Sequence, residues 1–396
     1  MKYKTRFALF FTGMCVMQMA ANFAHPVTPT IIKDLALPDY MFGLMLAAMM
    51  LSNFLFSPFW GKLNSTVSSR NTLLICCIGY GVAQLGFAWG TTQADILLAR
   101  VLAGIFVGGI FVSYLTYIVN TAAPEDQARY LTYSATIQAV CGAFGYLIGG
   151  VMGEYSIRFT FLFQSATLIA CGIFFRLLCL PDNDPSAKLP VKQLIRQSNP
   201  MQAILDGRQF MNTAFVLLFA LNILINFGNT GFDQVFNYYL KDQLGLTSSY
   251  NGLIKAAVGL ISFVFNMTLC LWIIRKTDTR VSMTVLTVFC TLASVGTLVF
   301  PQITVYIGFS VMLYAGYSVS LPVLQDMVAR QADPAQKNLV MGFYNATKSL
   351  GSILGSLAAG FLYGLHTKLP FLVVAVTYAL SIAAAAGYWF HQRRKA

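Results

Sequence analysis

Apolar runs of about 20 residues or more recur along the whole chain, separated by short breaks rich in charge and turn residues. A hydrocarbon core about 30 Å thick takes about 20 apolar residues to cross as a helix. Inside it every backbone N–H and C=O must bond within the protein, so such runs fold as helices rather than as open sheets. Twelve runs can be marked, at 7–31, 41–60, 72–90, 96–121, 130–152, 158–180, 212–238, 249–274, 281–299, 303–325, 338–363 and 370–390. Only 10% of the 396 residues are charged, less than half the share in an ordinary soluble domain, which argues against a water-soluble globule. The expected fold is an all-α membrane protein with twelve transmembrane helices.

The chemistry-bearing residues are sparse. Eight Cys (Cys15, Cys76, Cys77, Cys141, Cys171, Cys179, Cys270 and Cys290) lie in or at the ends of apolar runs with no metal-ligand spacing, and the three His are His25, His366 and His391. No metal site, cofactor or disulfide framework is expected. The chain has no phosphate-binding G-x-x-x-x-G-K-[ST] loop, no H-E-x-x-H and no G-x-S-x-G, so ATP-driven pumping and enzymatic hydrolysis lose their usual hardware. A net charge of +12 would suggest nucleic acid in a soluble chain. Here the cations sit in short clusters between apolar runs, and the bilayer is the expected partner.

Those clusters set an orientation. With the N-terminus inside, nineteen Lys and Arg fall on the cytoplasmic side against four outside (Lys33, Arg158, Lys241, Lys368), and three (Arg100, Lys255, Lys348) fall within spans. The bias places both termini in the cytoplasm of a multi-pass protein of the cytoplasmic membrane. The opening MKYKTR and its apolar run could be read as a signal peptide cut near Ala24. Asn22 at the third position before such a cut, and an apolar pattern running on to Ile31, argue that the segment is kept.

The longest polar stretch, 181–211, divides a six-helix N-terminal bundle (1–180) from a C-terminal one (212–396). Within this linker the apolar spacing from Val191 to Leu205 suggests a helix lying on the cytoplasmic leaflet. The halves repeat. At an offset of 210 residues Arg70 matches Arg280, Pro124 matches Pro334, Gly145 matches Gly355 and Gly150 matches Gly360; the strings at 133–136 and 344–347 match one residue out of phase. Two parallel six-helix repeats with a site at their interface form an alternating-access architecture.

In these features the chain resembles the major facilitator superfamily, and within it the twelve-helix drug:proton antiporter branch. The loop after the second span, which in the family reads roughly G-x-L-x-D-r-x-G-r, keeps Gly61, Leu63 and a basic Arg70, with Ser65 for the Asp and Ser68 for the second Gly. Arg100 followed by Gly104 matches the fourth-span motif, and Gly145-Tyr146-Leu147-Ile148-Gly149-Gly150 matches the fifth-span antiporter motif with Tyr146 in place of Pro. The resemblance implies the major facilitator fold, a small-molecule substrate, proton coupling and conformational roles for Gly61, Arg70, Arg100, Gly145, Gly149 and Gly150; the repeat extends the same expectation to Gly355. Apart from any family, glycines four residues apart on one helix let another backbone approach closely, either as a fixed packing seam or as a surface on which the halves rock.

Polar side chains inside apolar helices usually face a bundle interior or watery cavity. Asn222, Asn226, Asn229 and Asp233 share one face of the seventh span, and Gln18, Asn22 and His25 share one face of the first. Since these spans begin their repeats, the stripes are expected to line a central substrate cavity, with Gln138, Tyr114 and Tyr117 as further lining. The competing reading is that the amides are glue between helices. Arg100 and Lys255 lie near the outer ends of their spans, where snorkelling to the interface is the simplest explanation; Lys255 could also pair with Asp233. Lys348 lies near the midplane, too deep for that, and is expected to attract a substrate anion or to change protonation. The coupling candidates are Asp233, His25 and Lys348. The expected function is secondary active transport of a small organic molecule by a single chain, as proton-coupled efflux. The alternatives are uptake or exchange of an organic anion and, more distantly, lipid handling.

Overall fold

The computed structural model describes residues 3–182, 198–202, 205, 207–333 and 336–394, and no strand occurs among them. The first span consists of α1 (Tyr3–Ala21) and α2 (Thr28–Asp34). It is followed by α3 (Met41–Val67), α4 (Ser69–Trp89), α5 (Gln93–Thr121), α6 (Pro124–Tyr155) and α7 (Ile157–Leu178). The second half comprises α8 (Thr213–Asp242), α9 (Ser248–Phe265), α10 (Leu271–Lys276), α11 (Thr279–Val299), α12 (Ile303–Gln331), α13 (Lys337–Leu365) and α14 (Leu369–Arg393). A π turn, Asn266–Cys270, joins α9 to α10 within one span. Among the described residues, ten spans are long and apolar enough to cross a membrane. The other two of the twelve are α1, which opens with Lys4 and Arg6, and α13, which carries Lys348 in its middle.

The first apolar run is not one helix, as its spacing suggests, but two. Residues 22–27 form a turn in which the amides of Asn22 and Phe23 reach back only three residues, to Met19 and Ala20. Pro26 is the cause: it has no N–H, and its ring would collide with the carbonyl four residues earlier in a continuing helix. The carbonyls freed at the end of α1 are satisfied from other helices. Gln164 Nε2 donates to Ala20 O at 2.8 Å and the Tyr80 hydroxyl to Ala21 O at 3.2 Å, which is how a break is tolerated at membrane depth. The expected interfacial segment from Val191 falls largely outside the described residues.

The chain forms two compact units, one of residues 1–37, 48–200 and 246–259, the other of 38–47, 201–245 and 260–396. In the first, α1 packs on α6 and α7, and α4 on α5 and α7; in the second, α8 packs on α13 and α14, and α11 on α12 and α14. One pairing scheme is thus used twice, as the repeat requires. The core of the first is aromatic, with Phe7, Phe10, Tyr114, Tyr117 and Phe175 all essentially inaccessible. The core of the second joins Phe210, Phe215 and Phe219 to Tyr344 and Tyr388.

Glycines set the closest approaches within each unit. A methyl group at Gly145 would overlap Met19 O, and one at Gly149 would overlap Phe23 O, so this seam on α6 receives the first span. On α13, Gly351 and Gly355 do the same against Ile223 O and Phe227 O of α8. Gly150 points elsewhere, against Ser248 O and Gly252 Cα of α9. The four glycines of the two seams therefore hold helices inside a unit.

Candidate substrate and coupling site

The stripe on α8 is built into a hydrogen-bonded ladder. Asn222 Nδ2 donates to Tyr344 O at 2.8 Å and to Thr347 Oγ1 at 2.9 Å, both on α13. Asn226 Nδ2 donates to Asn222 O and Oδ1 at 2.8 and 2.9 Å, while the Tyr317 hydroxyl of α12 donates to Asn226 Oδ1 at 3.1 Å. Both amides are 0% exposed. Their donors are committed inside the protein, so they tie α8 to α12 and α13.

Nearer the outer end the stripe opens. Asn229 is half-buried and its Oδ1 lacks a hydrogen-bond partner. One turn on, Asp233 is half-buried within the span and accepts the Tyr314 hydroxyl at 2.9 Å. Tyr314 and Tyr317 are three residues apart and so share a face of α12. Sequence reasoning missed them, along with Thr347; the available signal was the pair of tyrosines at helical spacing inside an apolar run.

Lys348 follows Thr347 on α13, half-buried, with neither a hydrogen bond nor an ion pair to any described residue. It lies eleven residues beyond Lys337, where α13 begins, or about 16 Å along the axis at 1.5 Å per residue.

In the first unit, Gln18 is 7% exposed, its Oε1 has no partner, and Asn22 Nδ2 bonds Gln18 O at 2.8 Å. Both amides lie beside Gly142 of α6. Because the helix breaks at Asn22, Asn22 and His25 belong to the turn rather than to a helical face. His25 stacks on Tyr146, with ring centroids 5.3 Å apart and planes 13° from parallel. The residue standing in the motif's Pro position is thus an aromatic platform, and Lys255 Nζ also lies 5.9 Å from the centroid of its ring.

Three expectations change here. Arg100 and Lys255 do not snorkel; they are 4% and 7% exposed. The Arg100 guanidinium lies 4.0 Å from the centroid of Phe87 and donates to Thr28 Oγ1 at 3.3 Å, so an aromatic face and a hydroxyl take the place of water. Tyr114 and Tyr117 do not line a cavity: both are 0% exposed in the aromatic core, and the Tyr117 hydroxyl accepts Arg6 Nε at 2.8 Å. Gln138 is half-buried and bonds Ser134 of its own helix at 3.3 Å.

The loop between α3 and α4 has its carboxylate, from an unexpected place. Asp182, just after α7, accepts the Ser68 hydroxyl at 2.6 Å and the Ser69 amide at 2.7 Å. Arg70 Nη1 donates to Cys179 O at 3.2 Å. Gly61 has room around it, its nearest neighbour being Val112 at 3.7 Å from an added methyl.

A membrane-spanning chain of two like-paired six-helix bundles, with polar ladders inside apolar helices, defines an alternating-access transporter in architecture. The model of the Major Facilitator Superfamily matches residues 9–315 and 292–396, and the chain belongs to that family of transporters. Multidrug resistance protein 2 of Bacillus subtilis is 20% identical over 93% of this chain and 91% of its own. Quinolone resistance protein NorA of Staphylococcus aureus is 24% identical over 95% and 94%. Among solved structures, a bacterial homologue of the human lysosomal transporter Spinster, inward-facing and occupied, aligns over 99% of this chain and 97% of its own with a TM-score of 0.78 at 13% identity. The human organic anion transporter MFSD10 (TETRAN) aligns over 97% and 100% with a TM-score of 0.67 at 16% identity. These structural likenesses carry the fold alone.

Proposed function

We propose that this chain exports amphipathic organic molecules across the cytoplasmic membrane in exchange for protons, as a single chain with both termini in the cytoplasm. The observation that carries this reading is Asp233, a half-buried carboxylate within a membrane span that accepts the Tyr314 hydroxyl and, at longer range, Gln234 Nε2. Intramembrane acids mark proton relays. Proton entry at Asp233 neutralises the charge; proton release restores it once the site faces the cytoplasm. Asn229, Tyr314 and Tyr317 lie along the same ladder and supply hydrogen bonds to a ligand, with Asn222 and Asn226 holding the tyrosine-bearing helix in place. In the first unit, Gln18, Asn22 and His25 are the polar side chains of the opening span, and His25 is the second coupling candidate. The likeness in sequence to multidrug and quinolone resistance proteins supports amphipathic substrates.

A second reading, exchange or uptake of an organic anion, is favoured by Lys348, a cation deep in α13 without a partner among the described residues. Reconstituted liposomes separate the two. Ethidium or a fluoroquinolone, moved only under an imposed pH gradient and lost with Asp233→Asn, supports export against protons. Movement of a carboxylate-bearing solute without a pH gradient, lost with Lys348→Ala, supports the anion reading instead.

A further inference from the structure

A groove of about 480 Å³ opens on the flank of the second unit, between the α9–α10 span and the α11–α12 hairpin. Ile261 and Phe265 of α9, Trp272 of α10, Val285 of α11 and Met312 of α12 line it. The α9–α10 span is thinly covered along its apolar stretch. Only 17% of its most apolar stretch is buried, against 33% or more in the other nine apolar spans. The π turn, Asn266–Cys270, falls within that span, and Ala315 and Gly316 of α12 line the groove as well.

One end of the groove is polar. Thr277 and Ser282 line it, their hydroxyls 2.8 Å apart. Just before them the last turn of α10 carries Arg275 and Lys276, three and four residues beyond Trp272 and so on the same face of the helix. Both are exposed, and neither forms a hydrogen bond or ion pair with a described residue. Arg330 and Arg129, by contrast, have carboxylate partners in Asp326 and Asp126. At the 210-residue repeat offset the first half has Ser65 and Thr66 at these two places, so the cations are not a feature the repeat imposes.

An apolar slot open to hydrocarbon, with two cations unpartnered among the described residues and two hydroxyls at its cytoplasmic end, has the chemistry of a site for an anionic phospholipid. We propose that this groove binds one such lipid of the inner leaflet. An acyl chain lies along Phe265 and Val285. The headgroup phosphate sits between Arg275 and Lys276, within reach of Thr277 and Ser282. Trp272, 57% exposed, lies at the boundary where amphipathic rings collect. The choice of leaflet rests on the orientation proposed above; the site itself does not.

The test is native mass spectrometry of the purified full chain given equal phosphatidylglycerol and phosphatidylethanolamine. The parent is expected to retain one phosphatidylglycerol, at least five-fold over phosphatidylethanolamine. Arg275→Gln with Lys276→Gln should abolish the preference, and Val285→Trp, which fills the slot from its lipid-facing side, should reduce retention of both lipids. Arg393→Gln with Arg394→Gln removes an equal charge elsewhere on the cytoplasmic side and should change nothing. Equal retention of the two lipids by the parent, or an undiminished preference in the Arg275/Lys276 variant, overturns the site. Should that variant purify poorly, the parent's melting temperature decides: a rise with phosphatidylglycerol no larger than with phosphatidylethanolamine overturns the site equally.

Discussion

Asp182 holds Ser68 in a backbone conformation that serine rarely adopts. Ser68 has φ 74° and ψ 135°, a region that costs a residue with a Cβ on the order of 1–3 kcal/mol. Its hydroxyl and the next amide both end on one carboxylate oxygen of Asp182, at 2.6 and 2.7 Å. The family's loop has Gly where this chain has Ser68, and an acid where it has Ser65. This chain meets the same need differently: the backbone still turns through positive φ, and the negative charge comes from the start of the central linker to the N-terminus of α4, where the helix dipole favours it.

That relationship fixes a coupled pair. Asp182→Ala should lower stability by about 1.5–3 kcal/mol, the range for hydrogen bonds to a charged group. Ser68→Gly removes both the strain and one of those bonds, so the double variant should lose clearly less than the sum of the two single losses. Thermal unfolding in detergent measures the cycle, and strict additivity would show that the carboxylate does not hold Ser68.

Asn226 should behave as a structural residue. It is 0% exposed and makes three hydrogen bonds within the second unit. Asn226→Leu leaves Asn222 Oδ1 and the Tyr317 hydroxyl without their partner, at about 1–3 kcal/mol for each buried group so orphaned. The expected result is a lowered melting temperature and yield, with Tyr317→Phe milder. An unchanged melting temperature with weakened ligand affinity would return Asn226 to the ligand-contacting set.

The glycines sort themselves by what an added methyl would meet. Gly145→Ala and Gly149→Ala each drive a Cβ into a backbone carbonyl of the first span, so both should reduce folded protein in the membrane. Gly142→Ala, whose nearest neighbour is Asn22 Nδ2 at 3.4 Å, and Gly364→Ala, with nothing within 4 Å, should insert normally. Gly364→Ala should even gain up to about 1 kcal/mol from helix propensity. Fluorescence-detected size exclusion of tagged variants ranks the four, and an order in which Gly145→Ala matches Gly364→Ala would remove the seam.

How far the sequence can be read follows from which forces act locally. Twelve spans, their repeat and the close approach at Gly145 and Gly355 are consequences of composition and periodicity, and these are legible along one strand of text. The break at residues 22–27 is signalled by Pro26, but the apolar run around it reads as continuous. What joins distant residues is not legible. Nothing in the sequence says that Asp182 reaches Ser68, that Tyr317 completes the Asn226 amide, or that Phe87 lies under Arg100. Snorkelling is the simplest reading of Arg100 and Lys255 because sequence gives depth in the membrane but not which aromatic ring lies beside a cation.

The orientation has its own check. A cysteine at Thr91, exposed before the start of α5, should react with a membrane-impermeant maleimide from outside intact cells. One at Ser186, outside the described residues, should react only after the membrane is opened. Reversed labelling at either place would invert the topology.

Lys348 is the residue on which the two functional readings divide. A cation near the middle of a span costs about 2.5–3.5 kcal/mol even on the lenient insertion scale, and Lys348 has no partner among the described residues to offset it. Its neighbours on α13 are committed elsewhere: Thr347 accepts from Asn222, and the carbonyl of Tyr344 does the same. A carboxylate held permanently against the ammonium would have made the lysine structural, and its removal would then leave an orphaned acid and a destabilised protein. Without one, Lys348→Ala should insert normally and melt no lower than the parent, while any transport of a carboxylate-bearing solute in liposomes falls at least ten-fold. Lys348→Arg keeps the charge but is bulkier and holds its proton more firmly. It should therefore recover anion binding more fully than any step that needs the lysine to lose its proton. If Lys348→Ala transports like the parent across the pH range, the lysine is a tolerated charge and the anion reading loses its support.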